Sequence, residues 1–138
     1  MKGREYLETA RDTVKGWRES DWRTTVGRAY YALYLECRDA LLRWGFFIPI
    51  HGSHGEVAKR FGFASLRDLN EIGKTLHHLS AHRKQADYEI ATIGYFVDDV
   101  RALTTIKDAT AAIALLDAID TDPARRTAAI ADIRRAFP

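Results

Sequence analysis

Cysteine occurs once in this 138-residue chain, at Cys37, so no internal disulfide can form and the fold must rest on packing. A reducing compartment, the cytoplasm, is the expectation. Proline is almost as scarce: Pro49, Pro123 and Pro138 leave long stretches in which nothing breaks a helix. No apolar run approaches the roughly 20 residues that span a bilayer, and the start Met1-Lys2-Gly3-Arg4-Glu5 leads into no signal-peptide core, so neither export nor membrane insertion is expected. Excess charge is small, a net +2, well short of the strongly basic balance of a dedicated nucleic-acid binder. That balance permits an RNA partner without demanding one. A Gly-rich phosphate loop, a Ser/His/Asp nucleophile set and the paired glutamates of a di-iron bundle are all missing, and no cofactor is expected.

What remains is an ordinary globular composition, 46% hydrophobic and 29% charged, at a length that suits one core and one domain. Leu7, Ala10, Val14 and Trp17 recur in steps of three and four and predict a helix over about 2–18. Ser20 or Asp21 is placed to cap a second, carrying Val26, Tyr30, Leu33, Cys37, Ala40 and Trp44 and ending at Gly45. After a loop containing Pro49, Ser53 with Glu56 has capping-box spacing and opens a short helix to about Phe61. Ser65 with Asp68 repeats the signal and starts a long helix through Leu66, Leu69, Leu76 and Leu79 to about Tyr88. Beyond a loop around Thr92 to Gly94, Val100, Leu103, Ile106, Ile113 and Leu116 outline a fifth helix. Thr121-Asp122-Pro123 begins a sixth with Ile130, Ile133 and Phe137. The expected fold is all-α, an antiparallel up-and-down bundle of five to six helices, whose flat faces suit a homodimer.

Chemistry concentrates on the fourth helix. The stripe Leu69, Gly73, Leu76 continues into Ser80, Arg83 and Asp87, so a packing face turns polar at its end. Arg83 and Asp87 are four apart and suit an ion pair, with the Tyr88 phenol beside them. One reading is a solvated helix end with a weak surface pair. The other is an anion-facing cleft in which Arg83 contacts phosphate and Asp87 holds its rotamer. His78 and His82 have a spacing zinc sites use, with His51, His54 or Asp87 as third donors, but no HExxH acid or cysteine cluster supports a metal and none is expected. His54, at the start of the third helix, is a candidate proton carrier. Cys37 falls in the apolar stripe and reads as a buried, inert thiol. Arg125, Arg126, Arg134 and Arg135 on the last helix read as a solvated amphipathic end or as a basic contact face.

Three segments taken together, Gly27-Arg28-Ala29-Tyr30-Tyr31-Ala32, then His54-Gly55-Glu56-Val57 with Phe61, then Arg83-Lys84-Gln85-Ala86-Asp87-Tyr88, resemble in order and spacing the HEPN family of small prokaryotic helical domains. The likeness spans about residues 4–117 and leaves the last helix as an extension. It implies a dimerising bundle with the second- and fourth-helix motifs facing a cleft. Relatives include ribonuclease toxins, host-defence nucleases and partners of nucleotidyltransferases in toxin–antitoxin pairs. The resemblance implies an RNA- or nucleotide-binding module with Arg83, Asp87, Tyr88 and Tyr31 at phosphate. In nuclease members a His follows the Arg within two helical turns, and cleavage uses the RNA 2′-hydroxyl without metal. No His follows Arg83, and losing a general acid or base costs roughly 10²- to 10⁴-fold in rate. The alternative, a metal-independent endoribonuclease, then needs His54, His78 or His82 to supply the proton transfer. Tyr88 is also the nearest counterpart of a tyrosine that some relatives present to an adenylyl-transferring partner.

Overall fold

The computed structural model describes residues 1–91 and 94–138. Six helices follow one another: α1 (Glu5–Thr13), α2 (Glu19–Arg43), α3 (Ser53–Gly62), α4 (Arg67–Tyr88), α5 (Val100–Asp120) and α6 (Pro123–Ala136). Among the described residues there is no strand, and no helix is long and apolar enough to cross a membrane. The protein is the all-α bundle its periodicity implies. The expected loop at 92–94 falls partly outside the described residues, at Thr92 and Ile93.

The longest helix, α2, is the hub, packed against α1, α4 and α5. Its alanines at 29, 32 and 40 are fully buried, which lets neighbouring helices approach closely around Leu33, Cys37 and Leu41. Thr13 meets Thr25 and Arg4 meets Glu36, so α1 runs antiparallel to α2. Tyr31 meets Arg83 and Arg23 meets the end of α4, so α4 also runs against α2. Gly45, at φ +89°, turns the chain at the end of α2, and residues 46–52 double back along the bundle. Tyr34 therefore meets Ser53 while Trp44 meets Phe61, and α3 lies beside α2 in the same sense. That return places the first turn of α3 level with the middle of α2, where the tyrosines are.

Helix ends depart from the capping expected of the local sequence. α1 stops at Thr13, and Trp17 is 83% exposed because Gly16 turns the chain and gives its carbonyl to the Trp22 indole N–H. Neither Ser20 nor Asp21 is the N-cap of α2; that residue is Arg18, and Asp21 sits at the third helical position accepting its N–H. Ser53 does not cap α3 but bonds Tyr34, and Gly52 takes the cap position. Ser65 and Asp68 do not form a box either. Asp132 of α6, itself buried, accepts the Ser65 and Leu66 N–H groups at 3.2 and 2.8 Å, while Asp68 pairs with Arg125 at 2.6 Å. The last helix is thus part of the architecture: Arg126 bonds the Asp120 carbonyl, Arg134 lies 5.3 Å from the Phe46 ring, and Arg135 faces Asp132. Asp122 caps α6 as expected, accepting from Ala124 and Arg125 with Pro123 behind it.

Asp132→Ala is expected to cost about 1–3 kcal/mol, because two backbone donors at the start of α4 lose a buried acceptor. Urea denaturation checks it, and an unchanged midpoint would show that water serves those groups equally well. On α5, Val100 and Leu103, expected in the core, are exposed, and the buried face is carried instead by Ala102, Thr105, Ala109, Ala112, Ile113, Leu116 and Ile119. The alternation of small and large side chains there, not the largest apolar residues, marks the packed stripe. Leu66 is likewise exposed, because it precedes α4 instead of forming its first turn.

Candidate functional site

Three helices converge on the tyrosines of α2. Tyr30 and Tyr34 are one turn apart and stack with a centroid separation of 6.1 Å, while Tyr31 turns to the side and meets each edge-on. The first turn of α3 delivers Ser53 and His54 to them. Tyr34 Oη and Ser53 Oγ are 2.6 Å apart, Tyr30 Oη and His54 Nδ1 are 2.6 Å apart, and the imidazole stacks on the Tyr34 ring at 3.9 Å. His54 therefore belongs to the tyrosine cluster while its residue as a whole stays exposed.

Burial pushes the Tyr30 phenol up to about 12, so it holds its proton at neutral pH. Partial burial lowers the His54 imidazole from its ordinary value, and the positive charges of Arg83, Arg38 and Lys84 lower it further. A neutral histidine bonded to a protonated phenol is the resting arrangement.

α4 adds Arg83 and Asp87. Arg83 Nη2 donates to Tyr31 Oη at 3.3 Å, and its guanidinium carbon lies 5.4 Å from the Tyr31 centroid and 5.9 Å from that of Tyr30. The i,i+4 pair with Asp87 is present, with Nε 3.2 Å from Oδ2. Yet that N–H is buried and out of line for a hydrogen bond, so the contact is electrostatic and the guanidinium keeps donor capacity. Between α2 and α4 opens a groove of ≈ 540 Å³, lined by Arg23, Gly27, Arg28, Tyr31, Ala86 and Asp87 among others. Gly27 lines it without a side chain, and a Cβ there would come to 4.0 Å of Asp87 Oδ1.

Two arginines of α2 behave differently in this groove. Arg23 is consumed by structure: it donates to the Gln85, Ala86, Glu89 and Ile90 carbonyls at the end of α4, pairs with Glu19 and lies 4.5 Å from the Phe96 centroid. Those carbonyls belong to the last turn of α4 and the two residues after it, where acceptor capacity is left over. Arg28 is half-buried over Tyr6 and Tyr31, at 5.5 and 6.0 Å, and among the described residues no carboxylate pairs with it. Arg83 is offset by Asp87; Arg28 is not offset. Arg28 is not among the site residues expected from the sequence; its place three residues before Tyr31, on the same helical face, is the signal for it.

The remaining candidates lie elsewhere. His82, next to Arg83 in sequence, points into a different pocket, with Tyr95, Asp98 and Arg101. Partial burial and then Arg101 and His78 hold its imidazole below the ordinary value. Successive helical residues diverge by about 100°, so Arg83 and His82 serve different neighbours. Tyr88 follows Asp87 but is 73% exposed and takes no part in the cluster. Among the described residues no group of three His, Cys, Asp or Glu gathers as a metal site; His54 Nδ1 is engaged by Tyr30, and His77 and His78 stand 6.4 Å apart by centroid. Cys37 is fully buried, and its thiol is pushed well up by that burial, which leaves no thiolate for chemistry.

No family model matches the chain, and no curated protein and no solved structure matches it. The functional reading is therefore carried by the residues themselves.

Proposed function

We propose that this protein is a phosphate-gripping module for RNA or a nucleotide, of the HEPN kind its motifs resemble. In this reading it acts as a homodimer with a nucleotidyltransferase partner in a toxin–antitoxin or defence pair. The observation that carries the reading is the open groove in which Arg28, without a counter-charge, stands on the same tyrosine as Arg83. A half-buried guanidinium with no carboxylate partner gains more from an arriving phosphate than one already paired. Tyr31 supports both arginines and adds an aromatic surface for a base. Tyr88, Ile90, Tyr95, Val97, Val100 and Leu103, which follow one another in sequence from the end of α4 into α5, are exposed apolar side chains of the kind a second copy would cover.

Single-stranded RNA is expected to bind at low salt, and Arg28→Ala and Arg83→Ala are each expected to weaken it by about 1.5–3 kcal/mol, roughly 10- to 150-fold. Fluorescence anisotropy with a labelled strand measures this. Wild-type affinity in both variants would end the reading.

One observation favours a second reading, a metal-independent endoribonuclease. His54 is kept neutral beside Tyr30, near enough to Arg83 to feel its charge, and in the tautomer whose Nδ1–H donates to Tyr30 Oη its Nε2 can take a proton from a 2′-hydroxyl. Because the imidazole is lowered, its basic form persists as pH falls through the ordinary 6.5 and is lost only further down. Cleavage in EDTA should hold steady through that value, decline below it, and vanish in His54→Ala. Cleavage that survives His54→Ala removes this histidine from the chemistry.

A further inference from the structure

α3 and α4 are antiparallel, with Gly62 against Gly73 at one end and His54 near Lys84 at the other. One turn beyond His54, at Ala58, a second groove begins, of ≈ 330 Å³, whose lining includes Lys59, Phe63, Lys74, His77 and His78. Along the exposed side of α4, Lys74, His77, His78 and Lys84 follow one another in helical steps that keep them on one side.

The acids of these two helices are mostly turned away from that side. Glu56 faces Arg60 at 3.6 Å, Asp68 faces Arg125 at 2.6 Å and Asp87 faces Arg83 at 3.2 Å, which leaves Glu71 at the flank. Among the described residues neither Lys59 nor Lys74 nor Lys84 has a carboxylate within ion-pair distance. Phe63, at the far end of the groove, stacks on Phe137 with a centroid separation of 6.1 Å and is still 66% exposed beside positive charge. From Lys74 to Lys84 the helix rises about 15 Å, a span that one mononucleotide phosphate cannot cover and a short strand can.

We propose that the α3–α4 groove continues the α2–α4 phosphate site, so that the ligand is an extended single strand of RNA lying along Lys84, His77, Lys74 and Lys59 and ending with a base on Phe63. The proposal rests on the phosphate-binding reading above. Mobile lysines tracking a backbone, with an aromatic platform for an unpaired base, are the general means of holding single strands.

The test compares a labelled single-stranded RNA of about twelve nucleotides with AMP, on wild type, Lys59→Gln/Lys74→Gln and Arg28→Ala. Both lysines are exposed, so the double variant should keep its helical circular dichroism. Removing two phosphate contacts is expected to flatten the slope of log affinity against log salt by about 1.4, with the strand bound several-fold more weakly and AMP affected only by Arg28→Ala. A double variant that binds the strand with wild-type affinity and slope, while Arg28→Ala still weakens it, overturns the extended groove and leaves the phosphate site standing. AMP bound as tightly as the strand overturns it too. Strand binding indifferent to Arg28→Ala and to the lysines alike sinks both proposals.

Discussion

Gly73→Ala is expected to destabilise the protein by about 3 kcal/mol, the upper end of the cost of overpacking a core. A Cβ at this buried position would fall on the backbone of Gly62 and Phe61, where no side chain can swing aside. Intrinsic propensity argues the other way, since alanine in a helix interior is favoured over glycine by about 0.5–1 kcal/mol. The sign of the change is therefore informative. Urea denaturation with an unchanged slope and a lowered midpoint would show that steric conflict wins. A midpoint that rises would mean α3 and α4 separate easily, and that their crossing does not hold His54 in place. In the expected case the displaced α3 also loosens the His54–Tyr34 stack, because that residue lies on the same short helix.

Phe61→Ala carries an expected loss of about 3–5 kcal/mol. Phe61 is fully buried, among the largest side chains with that property, and its ring stands 6.3 Å from that of Trp44. It therefore fastens α3 to the end of α2, where the chain has doubled back. Against a total stability of about 5–15 kcal/mol for a domain of this kind, the loss would consume a large share. Phe61→Leu should recover most of it, since volume and apolarity are largely kept. Thermal melts of the two variants decide the matter. An alanine variant as stable as the leucine one would mean that the core collapses around the gap and that α3 is held elsewhere.

Some features of this protein follow from residues close in sequence. The stripe of α2, including Cys37, is buried as its period of three and four requires. Asp122 and Pro123 start α6, and Arg83 and Asp87 approach each other, because both arrangements need only one helical turn. Side chains within a turn are neighbours in any helix, whatever packs around it.

Capping was less legible where a tertiary partner competed for the same group. Ser53 has the spacing of a capping residue, but its hydroxyl goes to Tyr34, and the N–H groups at Ser65 and Leu66 are taken by an acid from α6. A buried donor takes whichever acceptor the fold brings, near or far in sequence. Apolar size misled in the same way on α5, where Val100 and Leu103 face outward while alanines face the core, because close helix packing selects for small residues at the contact.

The candidate site divides along the same line. Sequence alone determined that the chain is all-helical and placed Arg83 with Asp87, since both are properties of single helices. Only the tertiary structure decided that His54 stacks on Tyr34, that His82 turns towards Arg101, that Arg23 is spent on the end of α4 and that Arg28 stands over Tyr31 with no carboxylate at ion-pair distance among the described residues. Periodicity fixes the direction of a side chain about its own helix axis. It does not fix which helix is met there, and charge balance in a groove is a property of that meeting.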